Sequence, residues 1–246
     1  MEPIYEQKFE ITDVYVDCCG RLKPSMILYF AQEVAGNHFS RLAMNYEALA
    51  ERGLFWAVTR HRVQITRLPM RGETLRIETW PMPTTRVAYP RCVVAYDEGG
   101  QECFRALSLW VLMDMDTRAM VLPGRSGVAV EGLLRGGEPV NPTALTPCRP
   151  TDSRSRTVCF TDLDRNGHMN NTRYMDWVAD LFPSAFHEGR SLRELSVCYF
   201  AESLEGDALE LRREQPEPAL LQVDIHRQKE GKDERVFSAR LCYDMP

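Results

Sequence analysis

The sequence predicts an α+β protein in which one unit, a helix followed by a run of antiparallel strands, occurs twice. Three observations carry this reading. Two segments repeat the same order of elements, apolar spacing changes from helical to strand-like at matching places in each, and a stretch rich in glycine and proline lies between them.

In the first segment, Thr12-Asp13-Val14 opens a turn-rich stretch through Asp17-Cys18-Cys19-Gly20. Pro24 then starts a run with apolar residues at 26, 27, 30, 34 and 35, the spacing of one helix face. Strands are expected at 57–67 and 73–80, with Pro69 to Gly72 between them, then near 86–97 and 102–115 about the turn Glu98-Gly99-Gly100. In the second segment, Thr161-Asp162-Leu163 opens a turn-rich stretch from Asp164 to Asn171, and apolar residues recur at 174, 175, 178 and 181 before Pro183. Strands follow at 195–202, 207–213, 219–228 and 234–244, with turns at Gly206 and Glu230-Gly231-Lys232. Aligning Gly72-Glu73 on Gly206-Asp207 also superposes Val63 on Val197 and Ile65 on Tyr199. Residues 1–122 therefore read as the first unit, 123–152 as a linker, and 153–246 as the second unit. Each curved sheet leaves an open edge that its sister can cover, so the units are expected side by side.

Composition sets the outer bounds. At 246 residues, 44% hydrophobic and 26% charged, the chain is an ordinary globular one, and collagen-like, low-complexity and disulfide-scaffold classes are excluded. The longest apolar stretches, such as 106–113, fall well short of the roughly 18 residues that cross a bilayer. Residues 1–8 lack the pattern of a secretory signal, so a cytoplasmic address is expected. Eight scattered cysteines are then expected to be reduced. A net charge of −5 argues against nucleic acid as a partner. Of the 30 cationic residues, only Lys8, Lys23, Lys229 and Lys232 are lysines. Arginine forks suit phosphate and carboxylate, although a coding preference for arginine gives the same count.

The chemistry concentrates in Asp162-Leu163-Asp164-Arg165-Asn166-Gly167-His168-Met169-Asn170-Asn171-Thr172-Arg173-Tyr174, just before the second helix. His168 can exchange a proton near neutral pH, Asp164 can orient it or act on water, and Asn166 and Asn170 can hold a carbonyl. A developing oxyanion is also favoured at a helix N-terminus. The same residues equally suit a capping loop that satisfies orphan amides, and composition alone leaves both readings open. Cys18-Cys19 with His38 has neither zinc-like spacing nor an evident fourth ligand, so no metal and no cofactor are expected.

The run Asp-Leu-Asp-x-Asn-x-His-x-Asn-Asn-x-x-Tyr at 162–174 resembles the signature of the acyl-acyl carrier protein thioesterases of plant plastids and bacteria. Trp56-Ala57-Val58-Thr59-Arg60-His61-Arg62-Val63, with Arg67-Leu68-Pro69 and Gly72-Glu73, is similar to that family's N-terminal half. The matching order of elements runs from about residue 5 to 244. The resemblance implies a double hotdog, two antiparallel sheets each wrapped round a central helix and packed as a pseudo-dimer within one chain. It also implies catalytic roles for Asp164, Asn166 and His168, and for a glutamate that Tyr199-Phe200-Ala201-Glu202 places at Glu202. Many plant members carry a cysteine after that glutamate, and here the position is Ser203, so a papain-like mechanism cannot use it; Cys198 and Cys159 remain to be excluded.

The implied partner is acyl carrier protein bearing an acyl-phosphopantetheine, and the implied reaction is hydrolysis to free fatty acid, ending fatty acid synthesis. In that reaction Glu202 or Asp164 activates water and His168 relays the proton to the leaving thiol. Direct attack by a carboxylate stays open. Acyl-coenzyme A hydrolysis and acyl binding without turnover are the alternatives, and both monomer and homodimer are compatible. With Gly72 set on Gly206, Leu68 falls on Glu202, and Asp17-Cys18-Cys19-Gly20-Arg21-Leu22 faces the signature loop. One site per chain is expected. The first unit then lends the acyl cavity, with Met26, Ile27, Phe30, Val34, Phe55 and Trp56 as candidate lining, residues that fit equally as plain core. Arg60, Arg62, Arg86 and Arg91 are candidates to meet the carrier, or are solvated strand residues.

Overall fold

The computed structural model of the chain describes residues 3–139 and 141–244. Met1 and Glu2 of the N-terminal segment read above, Val140 of the linker, and Met245 and Pro246 of the second unit lie outside the described residues. The elements run β1 (Tyr5–Glu10), α1 (Pro24–Arg41), α2 (Tyr46–Ala50), β2 (Leu54–Ile65), β3 (Thr74–Pro81), β4 (Tyr89–Tyr96), β5 (Glu102–Asp114), β6 (Met120–Val121) and α3 (Pro123–Ser126). The second unit follows with β7 (Asp152–Thr157), α4 (Arg173–Ala179), α5 (Ser184–Glu188), β8 (Ser191–Tyr199), β9 (Ala208–Glu217), β10 (Leu220–Lys229) and β11 (Lys232–Asp244).

Pro24 supplies the fixed φ that suits a first helical position, and α1 then buries Ile27, Leu28, Phe30, Ala31, Val34 and Ala35 at three- and four-residue intervals. That stripe lies in the same continuous core as Tyr174, Met175, Trp177 and Val178 of α4, and the two helices touch. Outside them runs a single sheet in the order β1-β3-β4-β5-β2-β8-β11-β10-β9-β7, with β6 beside β5. Its two halves mirror each other about the β2–β8 pair. Each is a hotdog: five antiparallel strands around one helix.

The β2–β8 ladder is antiparallel, and Arg62 pairs with Ser196 at its middle. Arg62 also meets Glu194 across it at 2.9 Å. The ladders confirm the alignment made on glycine. Ile65 pairs with Phe104 of β5, and Tyr199 pairs with Phe237 of β11, so Ile65 and Tyr199 hold equivalent places. The opening turns, in contrast, match in a register shifted by two residues, because the 3-10 turn at Asp13–Tyr15 corresponds to that at Phe160–Asp162. Asp17 then falls on Asp164, Gly20 on Gly167, Arg21 on His168 and Leu22 on Met169. The bridges Val16 to Leu22 and Leu163 to Met169 repeat each other, as do Arg21 to Met70 and His168 to Leu204.

His61 sits in the β2–β8 ladder opposite Val197, wholly buried, with Nδ1 2.7 Å from Ser108 Oγ. Burial disfavours its charged form and pushes its pKa from 6.5 down to about 3. Below pH 6.5 the unfolded chain binds a proton at this residue that the folded chain refuses. His61 therefore contributes stability that is present above pH 6.5 and is lost as the pH falls towards 3, with a slope approaching about 1.4 kcal/mol per pH unit. Urea unfolding of the wild type and of His61→Gln between pH 7 and 4.5 checks this: the wild-type curve is to be the steeper, and parallel curves contradict it.

Candidate active site

The backbone of the signature loop is held by hydrogen bonds that the sequence encodes locally. Asp164 Oδ1 accepts the backbone N–H groups of Asn166 at 2.8 Å and His168 at 3.3 Å, while the Asp164 N–H reaches the His168 carbonyl at 2.8 Å. The tight loop this makes needs a left-handed residue, and Gly167 supplies it at φ +76°. Asp162 is buried and anchors the loop to α4, accepting from Arg173 Nε and Trp177 Nε1, both at 3.3 Å. Asn170 Oδ1 accepts from the N–H and the hydroxyl of Thr172, each at 2.9 Å, which leaves its amide NH₂ as the group that can serve a carbonyl.

The chain after β8 then returns past this loop. The Met169 N–H donates to the Ser203 carbonyl at 2.8 Å, and Tyr174 OH, from α4, donates to Ser203 Oγ at 2.8 Å. Ser203 is fully buried and fixes the position of its neighbour Glu202. Glu202 Oε2 comes within 3.4 Å of His168 Nε2. A third group completes the cluster from the other hotdog: Arg118 Nη2 lies 3.2 Å from both Glu202 Oε2 and His168 Nε2. Arg118 stands at φ +56° in the turn between β5 and β6, and its guanidinium packs 5.0 Å from the centre of the Phe55 ring. Arg165 of the loop likewise lies over Tyr46 of α2 at 4.4 Å. The site is thus built at the seam, from both units.

Of the residues that sequence singled out, His168 and Glu202 meet directly. Asp164 is joined to them through the loop backbone, and Asn166 occupies an exposed turn position. Asn170 begins the turn into α4. Phe55 reaches the cluster through Arg118. Trp56 lies further in, stacked on Phe39 at 4.7 Å and edge-on to Tyr89 at 4.9 Å, while Phe30 and Val34 belong to the main core and Met26 packs against it. Arg118 is the residue that sequence reasoning missed. Its local signal is only that of a hairpin turn, Asp114-Met115-Asp116-Thr117-Arg118, whose Asp114 carboxylate accepts the Thr117 N–H.

The thiols stand apart from this cluster. Cys198 is buried on the opposite side of β8, with Sγ 3.7 Å from the Thr143 carbonyl, and burial pushes its pKa up. Cys159 is exposed, with Sγ at 3.4 Å from the Thr157 carbonyl. Nor does His38 join Cys18 and Cys19: it is buried, with Nδ1 3.1 Å from Arg91 Nη1. The pair lies instead beside Glu188, with the three ligand atoms within 4.8 Å of one another. Arg91, weighed as a contact for the carrier, is buried over the Phe39 ring at 4.3 Å and so cannot meet a partner.

Fold and site together define a double-hotdog protein with a His-Glu-Arg cluster at the seam of its two units. Models of the acyl-ACP thioesterase N-terminal domain and C-terminal domain match residues 2–122 and 148–240, and the chain belongs to that family. A chloroplastic palmitoyl-acyl carrier protein thioesterase of Gossypium hirsutum is 26% identical over 211 residues, 80% of this chain and 51% of the relative. An oleoyl-acyl carrier protein thioesterase of Arabidopsis thaliana is 23% identical over 84% of this chain and 62% of its own length. The chain thus spans about half the length of the cotton relative. Among solved structures, an acyl-ACP thioesterase from Bacteroides thetaiotaomicron superposes with a TM-score of 0.84 at 24% identity, covering 98% of each chain. The 12:0-ACP thioesterase of Umbellularia californica gives 0.83 at 20% identity, covering 99% of this chain and 98% of its own.

Exposure orders the thiols, and burial pushes the pKa of Cys92 and Cys198 up. Native alkylation followed by mass spectrometry is to mark the exposed Cys18 and Cys159 first and to leave Cys92 and Cys198 unmodified until the protein unfolds. Early labelling of Cys198 contradicts its placement.

Proposed function

We propose that this protein hydrolyses the thioester of acyl carrier protein carrying an acyl-phosphopantetheine, releasing a free fatty acid and so ending fatty acid synthesis. The observation that carries this reading is the 3.4 Å approach of His168 Nε2 to Glu202 Oε2, two residues separated by the whole of α4, α5 and β8. Relatives named for this reaction support it.

Glu202 acts as the general base. A water held by its carboxylate attacks the thioester carbonyl and gives a proton to Glu202; the C–S bond then breaks as that proton passes through His168, 3.4 Å away, to the departing thiolate sulfur. The tetrahedral oxyanion is met by the Asn166 side chain and the Asn170 amide NH₂. Asp164 takes no proton in this scheme; it holds the loop that aims His168. Arg118 pairs with Glu202 in a contact in which both side chains are 47% exposed. Such exposed pairs are typically worth under about 1 kcal/mol. The pair can therefore open when substrate enters.

The acyl chain then enters the first hotdog beside Phe55 and Trp56, with Met26, Phe30 and Val34 deeper along α1. Eight free thiols support a reducing compartment, and the cytoplasm is the one we propose. No helix among the described residues is long and apolar enough to cross a membrane.

The test is thiol release from matched acyl-carrier-protein and acyl-coenzyme A substrates. Glu202→Gln keeps size and hydrogen bonding but cannot take the proton, and is to lose roughly 10²–10⁴-fold in kcat with the fold intact by circular dichroism. His168→Ala is to lose at least as much. A near wild-type rate in Glu202→Gln removes the base from the mechanism, and faster turnover of the coenzyme A substrate overturns the choice of carrier. Leu68→Glu, the matching change in the first hotdog, is to create no second centre, because Arg21 stands there in place of a histidine.

A further inference from the structure

The first hotdog keeps the backbone of the catalytic loop and changes its side chains. Asp17 Oδ1 accepts the N–H groups of Cys19 at 2.9 Å and Arg21 at 3.0 Å, as Asp164 does for Asn166 and His168. The Leu22 N–H reaches the Pro69 carbonyl as Met169 reaches Ser203, both at 2.8 Å. The Lys23 N–H reaches Tyr15 as Asn170 reaches Asp162. By these contacts Arg21 replaces His168, Lys23 replaces Asn170, Ser25 replaces Thr172 and Leu68 replaces Glu202. A base has been lost and two cations gained.

At this second position the seam encloses a cavity of about 430 Å³, within the range of roughly 300–1,000 Å³ common for small-ligand sites. Its walls include Leu68, Met175, Val178, Leu192, Leu221 and Leu241, so its apolar part extends into the second hotdog. Neither His168, Glu202 nor Arg118 lines it. Each of three carboxylates on the wall has an arginine partner: Asp17 has Arg21, Asp176 has Arg173, which it shares with Asp162, and Asp180 has Arg156. Lys23 and Arg190 also line it, and neither has an ion pair among the described residues. Arg21 bridges the seam itself, donating to the His187 and Arg190 carbonyls at 2.8 and 3.2 Å.

Two polar atoms on this wall have no partner among the described residues: Ser25 Oγ, on a residue 2% exposed, and Arg190 Nε. The Thr172 hydroxyl, by contrast, is bonded to Asn170. A buried hydroxyl and guanidinium N–H left unpaired cost stability unless a ligand pairs with them.

We infer that this cavity is a binding site for a free long-chain carboxylate, its chain among the leucines and its head group on Lys23, Arg190 and the Ser25 hydroxyl. An aliphatic chain matches the apolar wall, and one anionic head group matches two cations that have backbone carbonyls, Val14 for Lys23 and Phe186 for Arg190, but no carboxylate as partners among the described residues. Binding does not require that the His168 centre be active, so the two readings stand or fall separately.

The experiment is titration calorimetry of sodium dodecanoate, below its micelle concentration, into the wild type, His168→Ala, the double variant Lys23→Gln/Arg190→Gln, and Leu68→Trp, each checked by thermal melt. Saturable binding is expected in the wild type and unchanged in His168→Ala. The double variant is to weaken it roughly tenfold or more, and Leu68→Trp, which intrudes into the cavity beside the loop, is to weaken it as well. Dodecanol and dodecyltrimethylammonium are to bind at least tenfold more weakly than dodecanoate to the wild type. No saturable binding, equal binding of the cationic probe, or loss of binding in His168→Ala but not in the two cavity variants overturns the assignment.

Discussion

The antiparallel pairing of β2 with β8 is the contact on which the rest of the molecule depends. Without it each hotdog exposes the unpaired edge of a long strand, a surface that proteins otherwise cover or charge. With it, ten strands form one continuous sheet, with β6 beside β5, and α1 meets α4 over a shared core. The pairing also decides where chemistry is possible. Arg118 and Phe55 come from the first hotdog, His168 and Glu202 from the second, and the two sets lie within contact distance because the ladder around Arg62 and Ser196 fixes the register of the halves.

A symmetric scaffold creates two equivalent places at that seam, and the sequence has separated them. The loop backbones are nearly superposable in their hydrogen bonds, down to Gly20 and Gly167 at φ +75° and +76°. What differs is chemistry alone. One place holds an imidazole beside a carboxylate; the other holds guanidinium and ammonium groups over an apolar cavity. Duplication within one chain permits such divergence, because each copy can change while the other keeps the shared pairing intact.

Much of this was legible in the sequence. Helical spacing after Pro24 and after Asn171, strand patterns between turn residues, and the match of Gly72 to Gly206 gave both hotdogs and the loss of the centre in the first. The edge strands were not visible, for different reasons. In β7 every residue from Asp152 to Thr157 is exposed and polar, so no alternation marks it. In β1 the inward face reads Tyr5, Gln7, Phe9, and the glutamine interrupts the apolar pattern. Asp164 shows a sharper limit: a carboxylate two residues before an asparagine suits both acid-base work and an Asx turn, and the turn bonds that its Oδ1 makes are compatible with either. Arg118 was beyond reach because its partners lie in the other hotdog, and turn chemistry carries no record of what the turn touches.

The central claim is that residues of both hotdogs act as one centre, and a double-mutant cycle between Arg118 and Glu202 on kcat/KM for an acyl-carrier-protein thioester tests it most directly. Arg118→Met in the wild type removes the cation that meets the Glu202 carboxylate at 3.2 Å. The same change made in Glu202→Gln has no such carboxylate to act on. The account predicts strong non-additivity, with the second step costing little once the first is made. Additive losses, each the same in either background, would show that the two residues act independently, and would contradict a shared centre at the seam.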